Sequence, residues 1–377
     1  MAPTTLFDVA QFVSTTLLVT LLGHLPAPVS TWLATPALVT LVAVLVFCAL
    51  LLAVGMINTI MLIWFERKLL GRFMDRRGAM HVGPAGLLQN FADGLKLFGK
   101  NTFKPEDADG FGFFSGPTAY MVVSLIMFAI LPISTGWSDG ALPLSLLLAL
   151  AVFSFAPLFI FISAWSSNNK YSLLGGMRSA AQMIAYEVPL LLAVVAVVIV
   201  AGSFDLNTIV NEQHNFWFAV PLILALIVFV VGMLAEMERI PFDLPEAEAE
   251  LVEGWNTEYG GMLFAFFMLA DYVRALVGSF LVVLLFLGGW TMPSWVPTPL
   301  TDAPLAGIVW FTLKTYIVFL LFVWIRAALP RVRTDQLLRV GWMRMIPLSL
   351  LSVLSAVVVV LFWKCVPFFG CLPSVGG

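Results

Sequence analysis

Long apolar stretches separated by polar loops dominate this sequence. Eight segments approach or exceed the roughly 20 apolar residues that an α-helix needs to cross a bilayer. They are 37–64, 117–133, 143–164, 182–201, 219–236, 260–288, 307–329 and 346–363. A shorter stretch at 9–23 is followed by Pro26 and Pro28, which favours an interfacial or re-entrant helix over a full span. The pattern predicts an all-α, polytopic integral membrane bundle of about eight transmembrane helices.

The predicted spans form one transmembrane domain over residues 37–363, preceded by a leader at 1–36 and followed by a tail at 364–377. Lysine and arginine concentrate in alternate loops, which the positive-inside rule assigns to the cytoplasm. These loops are 65–116, 165–181, 237–259 and 330–345. The loops between them carry no Lys or Arg, so both termini and the tail are predicted to be periplasmic. Polar mass therefore gathers on the cytoplasmic face, where a large partner could dock.

The composition also indicates lipid as the solvent, and it excludes several functions. Charged residues make up 11% of the chain, against about 25% in a soluble domain. The net charge is only −3 and no basic run occurs, so we expect no nucleic-acid partner. The three cysteines, Cys48, Cys365 and Cys371, form no CxxC motif, so we expect neither an Fe–S cluster nor a metal site. Cys365 and Cys371 are either a disulfide or two free thiols.

Two stretches resemble nucleotide-binding loops but lack essential features. Residues 94–100 match a P-loop until its last position, where Asn101 replaces Ser or Thr. The surrounding segment has helical periodicity instead of a strand followed by a loop. Residues 110–116 have the wrong glycine spacing for a dinucleotide fold. The three histidines lie outside the predicted spans, so we expect no bis-His haem, and electrons must come from a different polypeptide.

The third predicted cytoplasmic loop carries the strongest chemical signal. Eight carboxylates lie between residues 236 and 258, with Arg239 as the only basic residue among them. They are Glu236, Glu238, Asp243, Glu246, Glu248, Glu250, Glu253 and Glu258. Asp243 to Glu246 reads as a capping box, and Glu250 would follow Glu246 by one helical turn. Two interpretations stay open: a solvated acidic loop, or a buried proton-handling cluster with raised pKa values.

Ionisable residues are rare inside the predicted spans, where each must face a partner or a wet cavity. Away from the span edges, they are Glu187, Asp271, Arg274 and Lys314. Asp271 and Arg274, three positions apart, are either a neutralising pair or part of a functional site. Glu187 has no such local partner and is the best single candidate for a proton-relay carboxylate.

The segment 66–78 is amphipathic, with Leu70 and Phe73 on its apolar face and basic residues opposite. This pattern predicts a helix that lies in the membrane interface. It is either an ordinary juxtamembrane helix or the frame of a lateral entrance for a lipid-soluble substrate.

Several stretches closely resemble the H-type membrane component of NADH:quinone oxidoreductase, respiratory complex I. They are ERKLLGR (66–72), VGPAGLLQNFADGLKLF (82–98), WSSNNKYSLLGGMRS (165–179), AYEVPL (185–190), IPFDLPEAEAELVEGWNTEYGG (240–261), LFLGGW (285–290) and IRAALPRVRTDQLLRVGW (325–342). Two departures stand out. Residues 77–84 lack a Pro, an Asn and an Arg that the family commonly has, and Glu238 replaces a usual Asn or Ala.

The resemblance implies a proton-pumping membrane component that binds no cofactor itself and uses quinone as its substrate. FMN and Fe–S clusters are expected in partner subunits of the peripheral arm, with further membrane subunits alongside in a bacterial inner membrane. It implies a proton relay through Glu187, Glu236, Asp243, Glu246, Glu248, Glu250, Glu258 and Asp271. It implies a quinone tunnel at Glu66, Arg67, Leu70, Phe73 and Arg239. Rival interpretations are a membrane component of a hydrogenase complex, a stand-alone proton-coupled transporter and a passive anchor.

Overall fold

The computed structural model describes residues 36–134, 143–214, 216–246, 248–291 and 306–365. Within these ranges the regular structure is helical and contains no strand, which confirms the predicted all-α membrane bundle. The predicted interfacial helix at 9–23 and Cys371 lie outside the described residues.

Thirteen α-helices are present in the described ranges. We label them α1 (Pro36–Phe73), α2 (Gln89–Gly99), α3 (Gly110–Ile130), α4 (Ser145–Phe153), α5 (Ala156–Ser166), α6 (Lys170–Ala201), α7 (Leu206–Glu212), α8 (Ile223–Glu236), α9 (Glu248–Leu251), α10 (Gly261–Phe286), α11 (Ala306–Ala328), α12 (Thr334–Val340) and α13 (Ile346–Cys365). Short 3-10 turns lie at Pro84–Gly86 and Gly254–Asn256, and a π-helical turn at Gly341–Met345 joins α12 to α13.

Seven helical segments of the described chain are long and apolar enough to cross a membrane, judged by length and composition. They are Cys48–Phe73, Gly110–Ile130, Ser145–Ser166, Lys170–Ala201, Gly261–Phe286, Ala306–Ala328 and Thr334–Phe362. The predicted span at 219–236 differs, because α8 has only 14 residues. At ~1.5 Å per residue it is shorter than the hydrocarbon core. The chain before α8 instead turns against the end of α10, where the Ala219 amide donates to the Phe286 carbonyl.

Helix α10 forms the centre of the bundle. In its 18-residue apolar stretch, 83% of the residues are buried inside the protein, whereas the corresponding share for the apolar stretch of α1 is 22%. Its last twelve residues, 275–286, carry no charged side chain and are packed by aromatic rings from α3 and α11, including Phe280 against Phe311 at 4.9 Å between ring centroids. Asp271 and Arg274 lie near the middle of the helix. The charged residues of α10 are therefore absent from the half farther from the acidic loop (residues 237–259), apart from Arg274 at its start.

The segment 66–78 is not a separate interfacial helix. Residues 66–73 are the last two turns of α1, and the chain turns sharply at Asp75, where φ is +50°. The amphipathic helix in this region is α2, whose apolar residues Phe91, Leu95 and Phe98 are all exposed. Because α2 covers residues 94–99 as a regular helix, the P-loop interpretation is also excluded.

At the opposite end of α10, Lys314 secures the chain that follows the helix. Its ammonium group donates hydrogen bonds to the carbonyls of Leu287, Gly289 and Thr291 at 2.8, 3.0 and 2.5 Å. The three N–H donors of the ammonium group are thus matched by three carbonyl acceptors. These hydrogen bonds explain why a lysine is buried here, and no chemical role is needed. Lys314 is a structural residue of the bundle.

The acidic loop is less helical than its sequence predicts. Helix α9 has four residues and begins at Glu248, so the predicted capping box from Asp243 to Glu246 does not form. The Asp243 carboxylate instead accepts from Arg331 at 3.1 Å. The loop folds back on itself at Gly254, whose φ is +59°; a Cβ there would lie 1.7 Å from the Pro245 carbonyl oxygen. This close approach explains the glycine and holds the loop against the bundle.

Candidate functional site

A cavity of about 140 Å³ lies between the acidic loop and α10. Its charged walls are four carboxylates and two arginines: Glu238, Asp243, Glu246, Asp271, Arg239 and Arg326. Met237, Ile240, Met268 and Tyr272 complete the lining. A polar space of this size has room for several water molecules. The cavity favours the buried-cluster interpretation of the acidic loop over the solvated one.

Among the described side chains of loop 237–259, Glu238 and Glu246 are the carboxylates whose pKa is raised most. Glu238 is only 8% exposed. Burial raises its pKa to about 7, and the nearby Asp271 charge adds to the effect. The pKa of Glu246 is raised well above its usual range, first by burial and then by the charges of Asp271, Glu238 and Asp243. Glu238 can therefore exchange protons near neutral pH, and the surroundings of Glu246 favour its protonated form.

The arginines near the cavity also interact with its acids, and their charges partly offset the effect of burial on the carboxylate pKa values. Burial raises the pKa of Asp243, and the charges of Arg331 and Arg326 partly offset that rise. Burial works against the charge of Arg239, but the charge of Glu66, together with smaller contributions from Tyr272 and Asp271, outweighs burial and raises the pKa of Arg239. Arg239 also lies over the ring of Tyr272, at 4.4 Å from its centroid. Arg239 is thus a permanent cation in the cavity wall.

A short chain of polar groups leads from the cavity into the bundle. The Tyr120 hydroxyl donates to Asp271 Oδ1 at 2.6 Å, and Arg274 Nη1 donates to the Tyr120 oxygen at 3.1 Å. Arg274 Nη2 then lies 3.5 Å from Glu236 Oε2 in an ion pair. Asp271 and Arg274 are therefore not the direct neutralising pair that their spacing suggested, because Tyr120 lies between them.

Glu187 continues this chain on α6. Its Oε1 accepts a hydrogen bond from Ser154 at 2.5 Å, and the side chain is half-buried. It is close enough to Glu236 for the two charges to interact. Ser154 lies between α4 and α5, where the third spanning segment is interrupted. The predicted intramembrane carboxylate thus has a partner, which its own helix does not supply.

Glu66 is the best-paired acid near the cavity. It is 2% exposed, forms an ion pair with Arg239 at 3.2 Å and is also hydrogen-bonded to Arg326. A cleft of about 10 Å³ adjoins it. Leu70 and Phe73 follow Glu66 on the same face of α1, and exposure rises along this row to 44% at Phe73. The face therefore runs from the protein surface to a buried carboxylate.

Arg67 points away from this row. It forms a 2.6 Å ion pair with Asp93 of α2, which ties the end of α1 to the amphipathic helix. Burial raises the pKa of Asp93, but hydrogen bonds from Arg67 and Gln89 and the charges of Arg67 and Lys96 together outweigh it and lower the pKa overall. Arg67 is a link between helices rather than part of the cavity wall.

The predicted crowding of Glu246, Glu248 and Glu250 is wrong for at least one of them. Glu250 is exposed and pairs with Arg178 at 2.6 Å, whereas Glu246 lines the cavity. The side chain of Glu248 is outside the described part of the chain. Glu258 accepts a hydrogen bond from Asn169 at 2.5 Å and does not line the cavity. The carboxylates that do lie close together are those lining the cavity, and they come from the loop and from α10.

Three cavity or bridging residues do not follow from the sequence patterns. Arg326 occurs only within the family-like stretch 325–342, Glu238 is a loop acid that departs from the family pattern, and Tyr120 is absent from the predicted site. A tyrosine within an apolar span is a usable signal, because its hydroxyl needs a partner when buried. Among the described residues, no group of three or more His, Cys, Asp or Glu is arranged to hold a metal ion.

Comparisons with known proteins agree on one family. The family model described as NADH dehydrogenase matches residues 45–357. The chain is 41% identical over 314 residues to the H subunit of NADH-quinone oxidoreductase from Rhodospirillum centenum, covering 81% of this chain and 91% of the relative. It is 41% identical over 342 residues to the corresponding protein of Paramagnetospirillum magneticum, covering 90% and 95%. It is 42% identical over 308 residues to NADH-ubiquinone oxidoreductase chain 1 of Arabidopsis thaliana, covering 80% and 93%.

Proposed function

This chain belongs to the H-subunit family of NADH-quinone oxidoreductases, and we propose that its carboxylates couple quinone reduction to proton translocation. The observation that carries the proposal is the cavity walled by Glu238, Asp243, Glu246 and Asp271. From this cavity, polar groups continue through Tyr120 and Arg274 to acids inside the bundle. A passive anchor would need none of these buried acids, which are costly to keep in a membrane.

The electrostatics of the cavity suit proton exchange. Four carboxylates face two arginines, and Arg239 is already shared with Glu66. All four acids cannot be ionised together at low cost in a poorly solvated space, so protons are shared among them. Groups such as Glu238, with a pKa of about 7, gain and lose protons at working pH. The cluster therefore acts as a proton reservoir beside the reacting site.

The row of Glu66, Leu70 and Phe73 is the proposed approach for quinone. Its exposed end is apolar and suits an isoprenoid tail, while its buried end meets Arg239 and Arg326, which also line the cavity. The cleft at Glu66, about 10 Å³, is smaller than a quinone ring, so side chains must move to admit one. Two electrons from Fe–S clusters of partner subunits and two protons from the cavity acids convert quinone to quinol.

The distribution of lysine and arginine among the loops gives the proposed orientation. Loops 65–116, 165–181, 237–259 and 330–345 face the cytoplasm of a bacterial inner membrane by the positive-inside rule. The acidic cavity then opens towards the peripheral arm, which carries FMN and receives electrons from NADH. The chain itself contributes the quinone route and the relay and binds no cofactor.

Glu246→Gln tests the proposal in native membrane vesicles. Glutamine keeps the size of the side chain but cannot release a proton, so NADH:quinone activity and proton uptake should both fall on the order of a hundredfold. Glu253→Gln is the matched control, because Glu253 is an exposed acid of the same loop; its activity should stay within about twofold of wild type. NADH:ferricyanide activity reports assembly. An assembled Glu246→Gln complex that pumps like wild type would refute the relay.

A further inference from the structure

We propose that Arg274 is a shared counter-charge that links the protonation of Asp271 to that of Glu236, with Tyr120 as its positioning residue. This inference rests on the proposed relay and concerns the step between the cavity and the bundle interior. The observation behind it is that the buried Arg274 cation lies between two acids. Arg274 forms an ion pair with Glu236 directly and is connected to Asp271 through the Tyr120 hydroxyl.

The guanidinium of Arg274 is buried yet incompletely bonded. Its side chain is 3% exposed, and neither Nε nor Nη2 has a hydrogen-bond partner among the described residues. A guanidinium carries five N–H donors, and buried donors are normally satisfied. The ion pair of Nη2 with Glu236, at 3.5 Å, is longer than a good charge-assisted hydrogen bond. Arg274 thus has spare donors with which to tighten its contact with Glu236.

Aromatic rings surround this cation without fixing its polar contacts. The Arg274 guanidinium carbon lies 4.5 Å from the ring centroid of Phe153 and 5.7 Å from that of Tyr120. Cation–π attraction stabilises the charge in a dry site and depends little on small shifts across a ring face. The rings therefore stabilise the Arg274 charge both when Arg274 is held by the Tyr120 oxygen and when it moves closer to Glu236.

One cation cannot fully compensate two buried acids at once. When Asp271 is ionised, Tyr120 donates to it, and the phenol oxygen holds Arg274 Nη1. Glu236 is then poorly compensated and keeps a proton. When Asp271 takes a proton from the cavity, the Tyr120 hydrogen bond weakens and Arg274 moves onto Glu236, which releases its proton. One proton enters at Asp271 and one leaves from Glu236, while the guanidinium stays protonated throughout.

The charged surroundings of the two acids differ in a way that gives the step a direction. Asp271 faces the charges of Arg239, Arg274, Asp243, Glu238 and Glu246. Glu236 faces Arg274, Glu187 and Glu238. Asp271 therefore belongs to the proton-rich cavity, whereas Glu236 shares its surroundings with Glu187 of α6. A proton released from Glu236 can pass towards Glu187.

Tyr120→Phe is the test variant, because it removes the hydroxyl and leaves the ring packing against Phe267. Tyr259→Phe is the matched control. Tyr259 is also buried and also contacts Phe267, but its hydroxyl donates to the Ser163 carbonyl at 2.9 Å, away from any acid. Both variants are measured as assembled complex in membrane vesicles, for NADH:quinone activity and for proton uptake.

We expect Tyr120→Phe to lose activity and proton uptake on the order of tenfold, with Tyr259→Phe within about twofold of wild type. The double variant Asp271→Asn, Tyr120→Phe should lose no more activity or proton uptake than Asp271→Asn alone, because both substitutions break the same link between Asp271 and Arg274. A merely structural role for Tyr120 gives additive losses in this cycle. Equal losses in the two tyrosine variants, or additivity in the cycle, would overturn the inference.

The same measurements separate this inference from the proposed function. If Tyr120→Phe pumps like wild type while Glu246→Gln does not, the shared counter-charge is wrong and the relay stands. If Glu246→Gln also pumps like wild type, the proposed function itself fails. Arg274→Lys provides a second check, because it retains the charge and should keep more proton uptake than Arg274→Gln.

Discussion

Arg239 and Glu66 are 173 residues apart in the sequence, yet they form a buried ion pair at 3.2 Å. The pair joins the acidic loop to the end of α1, and Arg326 of α11 completes it from a third direction. Glu66 therefore secures the loop against the bundle at the point where the proposed quinone approach meets the cavity. Its carboxylate balances cations that would otherwise lie close together in a poorly solvated space.

Glu66→Gln should destabilise the complex. Removing one partner of a buried ion pair leaves an uncompensated charge, which costs about 3–5 kcal/mol. We expect less assembled complex in membranes and a lower apparent melting temperature of the purified complex. Asp335→Asn is the control, because the Arg333–Asp335 pair is 79% and 66% exposed and should contribute less than about 1 kcal/mol. Equal melting temperatures for the two variants would contradict this assignment.

Glu238 should make stability depend on pH. Its pKa in the folded protein is about 7, against an ordinary value of 4.5, so the folded state binds a proton more tightly. The stabilisation is fully present below pH 4.5 and is lost as pH rises to about 7. Its slope in that window is at most about 1.4 kcal/mol per pH unit. Melting temperatures of the wild-type complex from pH 5 to 8 should fall more steeply than those of Glu238→Gln.

Glu253→Gln is the control for this pH series, because Glu253 is exposed in the same loop. Its melting temperatures should follow those of wild type throughout. A Glu238→Gln profile that is parallel to wild type from pH 5 to 8 would mean that Glu238 does not titrate in this range.

Phe73→Arg should separate long-tailed from short-tailed quinones. Phe73 is 44% exposed at the outer end of the row that leads to Glu66. A charge there should obstruct an apolar tail more than a head group, so KM for a long-tailed quinone should rise about tenfold and KM for a short-tailed analogue about twofold or less. Phe103→Arg is the control, since Phe103 is 73% exposed and lies off the row. Equal rises for both quinones would argue against a lateral entrance.

Hydropathy predicted most of the fold, because a bilayer requires long apolar helices wherever the chain crosses it. It failed where packing replaced lipid contact: α8 is short because the residues before it turn against α10. Residues 66–73 were predicted to lie in the interface, whereas they extend α1. Amphipathicity alone does not distinguish a surface helix from the end of a span that packs on one side.

The acidic site was predicted only in part, because its contacts also depend on how the helices pack. Local spacing predicted that Glu246 and Glu250 would share a helical face, but the α-helix in this loop begins at Glu248, after Glu246, and Glu250 pairs with Arg178. Tyr120 lies 151 residues from Asp271 and 154 from Arg274. No periodicity relates such positions, so their contact is a property of helix packing. The intramembrane acids were visible in the sequence because charge is rare there, whereas their partners were not.

If protons pass from the loop cavity to acids within the bundle, Glu187→Gln should interrupt their route. Glu187 is half-buried with Ser154 as its partner, and glutamine preserves that hydrogen bond but cannot release a proton. Glu212→Gln, an exposed acid on α7, is the control. NADH:quinone activity and proton uptake are measured together in membrane vesicles, with ferricyanide reduction as the measure of assembly. We expect an assembled Glu187→Gln complex in which both quinone reduction and proton uptake fall on the order of a hundredfold. An assembled Glu187→Gln complex that reduces quinone and takes up protons like wild type would contradict it.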